Sequence, residues 1–237
     1  MSQRALSNPH DRTGPRLAGA ILSLGLVLFS AGAALARPAA AGAEAASSTT
    51  SPAAREIEAW VRDTGDNQGL PFLIIDKVSA RALAFDRDGR LLADAPVLLG
   101  LGRGDVSPPG IGERPLSAIG PQDRITPAGR FVASLGENLA GKGILWIDYD
   151  AALSLHPVIT GKVADRRRQR LETATADDNR ISYGCINVPE SFFGAVVQPA
   201  FSGTTGIVYI LPEARSLAEV FPRTIARTDP IGAPVID

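Results

Sequence analysis

Short apolar runs separated by turn residues dominate the middle of the chain. LPFLIID, RALAFD and LLADAPVLLG follow one another from residue 70, with charged and glycine-containing segments between them. Apolar runs of this length between turns are typical of antiparallel strands. ITPAGRFVASL, GILWIDYDAALSLH and GIVYIL predict further strands. The pattern therefore predicts a mainly β fold with a few short helices.

Helical spacing is limited to short segments. Ser51 and Pro52 begin a predicted helix, AAREIEAWVR, which Gly65 would end. Residues 163–171 (VADRRRQRL) predict an exposed helix, whose arginines we interpret as a solvated face, with a carboxylate-binding lid as the alternative. Residues 107–129 are rich in proline and glycine and predict a long loop at the rim of a site.

The N-terminal segment predicts export. Three arginines precede an uncharged apolar stretch, residues 17–36, that ends in ALA. We expect a signal peptide over 1–36 with cleavage after Ala36. An uncleaved membrane anchor is the alternative, because the stretch reaches the ~20 residues that a spanning helix needs.

The remaining sequence divides into three predicted parts. Residues 37–50 consist mostly of small and polar residues and indicate a flexible tether, so 37–68 is interpreted as tether plus short helix. A single folded domain is predicted over 69–212, with a C-terminal tail over 213–237. A chain of 237 residues can bury one good core.

Charge and composition exclude several classes of function. A net charge of -1 gives no field that would recruit nucleic acid. Beyond residue 36 the chain has one histidine, His156, and one cysteine, Cys185, too few for the usual zinc sites, so no metal is expected. Residues 100–104 lack the last glycine of a dinucleotide fingerprint, so no cofactor is implied. The S-x-x-K and G-x-S-x-G strings of serine enzymes do not occur.

The lone thiol of an exported chain needs a reason, because it has no cysteine within the chain to pair with. A small buried hydrophobe is the structural alternative. A thiolate is a strong nucleophile, and an imidazole that accepts its proton activates it. Cys185 and His156 are therefore the predicted nucleophile and base. Gly184 leaves room for an acyl carbon, and the N–H groups of Gly184 and Cys185 are predicted to hold an oxyanion.

The string Ser182-Tyr183-Gly184-Cys185-Ile186-Asn187 resembles the S/T-H-G-C-x-N signature of L,D-transpeptidase catalytic domains of the YkuD type. The meander FLIIDKVSARALAFDRDGRLL, the run APVLLGLG and the segment TPAGRF are similar to other parts of that domain. The resemblance implies a single-domain β-sandwich in the periplasm or facing the cell wall, with roles in peptidoglycan biosynthesis and cell shape. It also implies a thioester on Cys185, formed with a peptidoglycan tetrapeptide stem and resolved by an amine of a second stem.

The chain departs from the family pattern at three points. Tyr183 stands where the family has histidine, and a tyrosine can donate a hydrogen bond but cannot act as a base near neutral pH. Pro157 follows His156 where the family has glycine or serine, yet its carbonyl can still orient the imidazole. The segment between His156 and Cys185 is longer than usual for the family.

Three more polar residues are predicted to belong to the site. Asn187 is expected to hold substrate or the oxyanion loop, with a turn residue as the alternative. Ser182 is expected to orient His156 or to cap a turn. Arg180 is expected to contact a substrate carboxylate, with a surface role as the alternative.

Three functions fit these residues. The first is an L,D-transpeptidase. The second is an L,D-carboxypeptidase or hydrolase, in which water resolves the same acyl-enzyme. The third is a noncatalytic peptidoglycan-binding module. In each, the partners are peptidoglycan stem peptides, and a membrane is involved only if residues 1–36 stay attached.

Overall fold

A computed structural model describes residues 50–222 of the chain. The predicted signal or anchor over 1–36, most of the predicted tether and the end of the predicted tail lie outside these residues. Within residues 50–222, no helix combines the length and apolar character needed to cross a bilayer.

Ten strands and several short helices make up the described residues, which confirms the predicted mainly β fold. The strands are β1 Phe72–Asp76, β2 Arg81–Phe85, β3 Leu91–Pro96, β4 Leu99–Gly100, β5 Gly129–Glu137, β6 Gly143–Asp148, β7 Leu153–Pro157, β8 Arg180–Ser182, β9 Ile186–Val188 and β10 Thr205–Ile210. The α-helices are α1 Pro52–Thr64, α2 Arg167–Glu172, α3 Glu190–Phe192, α4 Gln198–Phe201 and α5 Leu217–Val220. A π-helical turn, Phe193–Val197, joins α3 to α4.

Eight of these strands form one mixed sheet in the order β3-β2-β1-β10-β5-β6-β7-β9. The pairs β1/β10 and β7/β9 are parallel, and the other neighbours are antiparallel. The run GILWIDYDAALSLH forms both β6 and β7, because residues 149–152 turn the chain back on itself. β4 and β8 form a separate parallel pair.

The two ends of the sheet meet. Leu98, two residues beyond β3, exchanges both backbone hydrogen bonds with Asn187 of β9, at N···O distances of 2.8 and 2.9 Å. The sheet therefore curls around the main hydrophobic core, and its two halves form the layers of the predicted sandwich. Strands from both halves contribute to this core, for example Leu73 of β1 and Leu155 of β7.

Helix α1 covers the other face of the sheet beside β1, β2 and β10. Its N-terminus is capped by the Ser51 hydroxyl, 3.1 Å from the Ala54 nitrogen, and it ends at Gly65 with φ +67°, as the sequence predicted. Ile57 and Val61 pack there in a second core that also contains Phe221. Segments on both sides of residues 69–212 thus add to the folded unit, and those domain limits stay a prediction.

The arginine-rich segment differs from the single helix predicted over 163–171. Val163–Asp165 forms a 3-10 turn and α2 begins only at Arg167, because Arg166 between them adopts φ +48°.

Candidate active site

Strands β7 and β9 bring the predicted nucleophile and base together. His156 lies opposite Asn187 and Leu155 lies opposite Ile186 in the parallel register. Because strand side chains alternate and Leu155 and Ile186 enter the main core, His156 faces away from it. Cys185 directly precedes β9, and its thiol lies near enough to the His156 imidazole for each group to shift the pKa of the other.

The carbonyl of Pro157 fixes the tautomer of His156. The ring Nδ1 lies 2.8 Å from the Pro157 oxygen, which can only accept a hydrogen bond. Nδ1 therefore carries the proton, and Nε2 is left to exchange a proton with the thiol. This is the role expected of Pro157.

The electrostatics of the pair favour charge separation. Burial raises the pKa of Cys185, but hydrogen bonds from His156 and from the Ser154 hydroxyl outweigh it, so the pKa is lowered overall. Burial lowers the pKa of His156, as does the nearby Arg167, yet its hydrogen bonds to Cys185 and Pro157 raise the pKa overall. Both directions favour a thiolate beside an imidazolium.

Ser154 is a site residue that the sequence prediction missed. Its hydroxyl donates to the Cys185 sulfur at 3.6 Å, and the residue is only 5% exposed. Ser154 precedes His156 by two positions on β7, so the two side chains share one face of the strand. That spacing of two was the available signal.

Gly184 and Ser182 fix the turn before the nucleophile. Gly184 has φ +130°, and a Cβ there would lie 2.8 Å from the Ile125 carbonyl oxygen, so this position requires glycine. The Gly184 N–H donates to the Ser182 hydroxyl at 3.1 Å, and that hydroxyl donates to the Cys185 carbonyl at 2.6 Å. Ser182 thus caps the turn. The predicted oxyanion role of the Gly184 N–H needs correction, because this N–H already donates to the Ser182 hydroxyl. Of the two predicted oxyanion donors, the Cys185 N–H remains.

Thr126, from the TPAGRF segment, forms a hydrogen bond with the same turn. Its buried hydroxyl donates to the Gly184 carbonyl at 2.7 Å and accepts from the Gly100 N–H at 2.9 Å. The segment was recognised in the sequence through the family resemblance, but this role could not be inferred, because it depends on three distant parts of the chain.

Asn187 holds the loop and not a substrate. It is 1% exposed, and its Nδ2 donates to the Cys185 carbonyl at 3.3 Å. Its Oδ1 accepts from Nη1 of Arg167 at 3.0 Å. Arg167 therefore points inward to the site, although the sequence placed it on a solvated helix face.

Arg180 does not reach the site. The residue is 8% exposed, and its Nη2 donates to Glu213 at 2.6 Å and to the Lys77 carbonyl at 2.9 Å. The predicted contact with a substrate carboxylate needs correction, because the guanidinium is buried and already paired. The surface alternative is equally wrong.

A small cleft of about 20 Å³ lies beside the thiol. Ser107 and Ile111, from the predicted loop over 107–129, line it together with Tyr183 and Cys185. The Tyr183 ring is partly exposed and lies under the Arg124 guanidinium, 3.9 Å from Cζ to the ring centroid. The cleft shares lining residues with an adjoining hollow of about 370 Å³.

These residues supply a nucleophile with its own base. The thiolate can attack a carbonyl carbon, and the imidazolium can protonate the group that leaves. Among residues 50–222, no three side chains of histidine, cysteine, aspartate or glutamate are placed to share a metal ion.

Comparisons with known proteins give matches only among solved structures. No family model and no curated protein matches the sequence. The similar structures are mostly L,D-transpeptidases, the family that the cysteine motif resembles. They include the helical cell shape determining protein Pgp2 from Campylobacter jejuni, 14% identical with a TM-score of 0.41 over 67% of this chain and 56% of that one.

Two L,D-transpeptidase structures give similar values. The Enterococcus faecium enzyme is 18% identical with a TM-score of 0.33, covering 59% of this chain and 49% of its own. The Stackebrandtia nassauensis enzyme is 12% identical with a TM-score of 0.35, covering 69% and 68%. The chain spans about half of the length of several structures that it matches, 49% and 58% for two of them.

Proposed function

We propose that the chain is an exported cysteine acyltransferase that acts on peptidoglycan stem peptides as an L,D-transpeptidase. The observation that carries the proposal is the placement of Cys185 next to β9 and of His156 on the adjacent strand β7, with Nδ1 of the imidazole fixed by the Pro157 carbonyl. The substrate class comes from the resemblance of the motif around Cys185.

The first half of the reaction forms a thioester. The thiolate attacks the carbonyl carbon before the terminal D-alanine of the donor stem, and the resulting oxyanion accepts a hydrogen bond from the Cys185 N–H. The carbon–nitrogen bond then breaks, and Nε2–H of the His156 imidazolium protonates the departing amine. D-alanine leaves with that proton, and the imidazole becomes neutral.

The second half transfers the acyl group. An amine of a second stem gives a proton to Nε2 of His156, attacks the thioester carbon and expels the thiolate. The adjoining hollow offers space for a second peptide on the same side of the molecule. Water in place of the amine would make the product a trimmed stem, as in the carboxypeptidase alternative.

The pairing of the thiol with a base favours an enzyme over a binding module, because a binding module has no use for an activated nucleophile. The proposal also includes export by residues 1–36, with cleavage after Ala36 or retention as an anchor, and a catalytic domain over 69–212.

Incubation of the purified protein with muropeptides, followed by mass spectrometry, tests the proposal. Crosslinked dimers support the transpeptidase, trimmed tripeptides indicate the carboxypeptidase, and unchanged substrate indicates the binding module. A carbapenem should also leave a single covalent adduct that is lost in Cys185→Ala. Adduct formation that persists in this variant would place the nucleophile elsewhere and overturn the assignment.

A further inference from the structure

Ser154 is a buried hydroxyl with one protein partner. It lies on β7 opposite Trp146 of β6 and shares a face with His156. Because the residue is 5% exposed, its hydroxyl has little access to water. Within residues 50–222, the partner of that hydroxyl is the Cys185 sulfur, at 3.6 Å.

The strength of this contact depends on the protonation of the sulfur. A hydroxyl has one proton to donate, and a hydrogen bond to an ionised acceptor is roughly twice as strong as one between neutral groups. The contact therefore strengthens when the thiol loses its proton. The protonated thiol has a different partner, the Ala152 carbonyl, which accepts from the sulfur at 3.5 Å.

We propose that Ser154 is a catalytic residue whose hydroxyl stabilises the thiolate of Cys185 independently of His156. The imidazole changes its charge during the reaction, because it gives up a proton to the departing amine and receives one from the acceptor. The Ser154 hydroxyl keeps its proton throughout, so it is a constant donor to the sulfur whenever the thiolate is present. The inference rests on the proposed function only for the use of the thiolate.

Alkylation of Cys185 by iodoacetamide tests the hydrogen bond without any substrate. The rate follows the thiolate fraction, so a profile of rate against pH has an inflection at the thiol pKa. In Ser154→Ala we expect this inflection to rise by about one pH unit, with a rate about tenfold lower below it. The plateau at high pH should change little, because all of the thiol is ionised there.

Matched variants separate the hydroxyl from the space that it fills. Ser154→Thr keeps the hydroxyl and Ser154→Val has the same branched shape without it, and both side chains suit a strand. We expect Ser154→Thr to retain the native profile and Ser154→Val to behave like Ser154→Ala. If Ser154→Ala does not fold, the comparison of Thr with Val still tests the hydroxyl. Ser134→Ala is the control, because Ser134 of β5 pairs with Trp146 from the strand on its other side, so we expect the profile to stay native.

The shift should also appear in a His156→Gln background, where Ser154→Ala should raise the inflection again. A native profile in folded Ser154→Ala or Ser154→Val would overturn the inference. A shifted inflection in a protein that leaves muropeptides unchanged would support the role of Ser154 and reject the proposed function, so the two failures are distinguishable.

Discussion

Arg180 of β8 and Cys185, just before β9, belong to two groups of buried side chains whose partners differ. The first, which we call the charged cluster, consists of Lys77, Asp105, Arg180 and Glu213. Lys77 Nζ lies 2.7 Å from Asp105 and 3.7 Å from Glu213, and Arg180 lies 2.6 Å from Glu213. Asp105 also accepts from the backbone N–H groups of residues 213–215. Each of these four side chains therefore has at least one partner of opposite charge.

The second group, which we call the thiol site, consists of Cys185, His156 and Ser154, and its sulfur has protein partners on one side only. The Cys185 sulfur forms hydrogen bonds with the Ser154 hydroxyl and the Ala152 carbonyl, and it also lines the cleft. Burial raises the pKa of Asp105, yet Lys77 and the backbone donors outweigh it and lower the pKa to about 2. A group with all of its lone pairs occupied has a stabilising role, whereas a group with an open side can react. Partners, and not burial alone, separate the two roles.

Removal of the base should have the largest effect on the thiol site. In His156→Ala, we expect carbapenem adduct formation to slow by about 10²- to 10⁴-fold, the usual contribution of a positioned general base. The cause is the loss of the group that accepts the thiol proton. Intact-mass spectrometry over time measures the rate, with Cys185→Ala as the unreactive control. A rate within about threefold of the native one would mean that the imidazole does not activate the thiol.

Asp105→Asn should break the charged cluster. The Lys77 side chain is 0% exposed, so loss of its closest partner leaves a buried charge poorly compensated. We expect the free energy of unfolding to fall by about 3 kcal/mol, the lower end for a broken buried ion pair, because Glu213 remains nearby. Urea denaturation measures the change.

The control for this variant is Asp88→Asn, at an exposed position, which should stay within about 0.5 kcal/mol of the native protein. The alkylation profile of folded Asp105→Asn should match the native one. If Asp105→Asn and Asp88→Asn lost equal stability, the charged cluster would have no special stabilising role, and its distinction from the thiol site would be lost.

Acid should weaken the charged cluster by a smaller amount. Because the pKa of Asp105 is lowered from 3.8 to about 2, its contribution is present above pH 4 and is lost as the pH falls through 2. We expect this contribution to be about 1 to 2 kcal/mol, because solvent screening reduces what the shift of the Asp105 pKa adds to stability. Urea midpoints at pH 6 and pH 2.5 should therefore differ more in the native protein than in Asp105→Asn. Parallel behaviour of both proteins would contradict the assignment.

Local patterns in the sequence were enough to predict much of the fold. The strands around Phe72 and Tyr209 and the helix that follows Ser51 have apolar spacing and turn residues that act over a few positions. The break at Arg166 was missed, because its positive φ has no signature in an arginine-rich run.

The site was predictable where composition left few choices. Cys185 and His156 were each the only residue of their type beyond residue 36. Ser154 and Arg180 are common residue types, and their roles depend on which side chains the fold brings near them. Ser154 meets a residue 31 positions away, and Arg180 meets Glu213, 33 positions away, so neither role could be inferred from neighbours in the chain.

The Thr126 hydroxyl forms hydrogen bonds with Gly100, 26 positions before it, and with Gly184, 58 positions after it. An unfolded chain does not hold contacts of such length, because closing long loops costs entropy. An unfolded chain therefore carries an ordinary thiol with a pKa of about 8.5, and the nucleophile acquires its reactivity only when these segments have assembled. The alkylation rate of Cys185 at neutral pH should thus report the completion of folding, and an immature chain should be protected from premature chemistry by its own lack of structure.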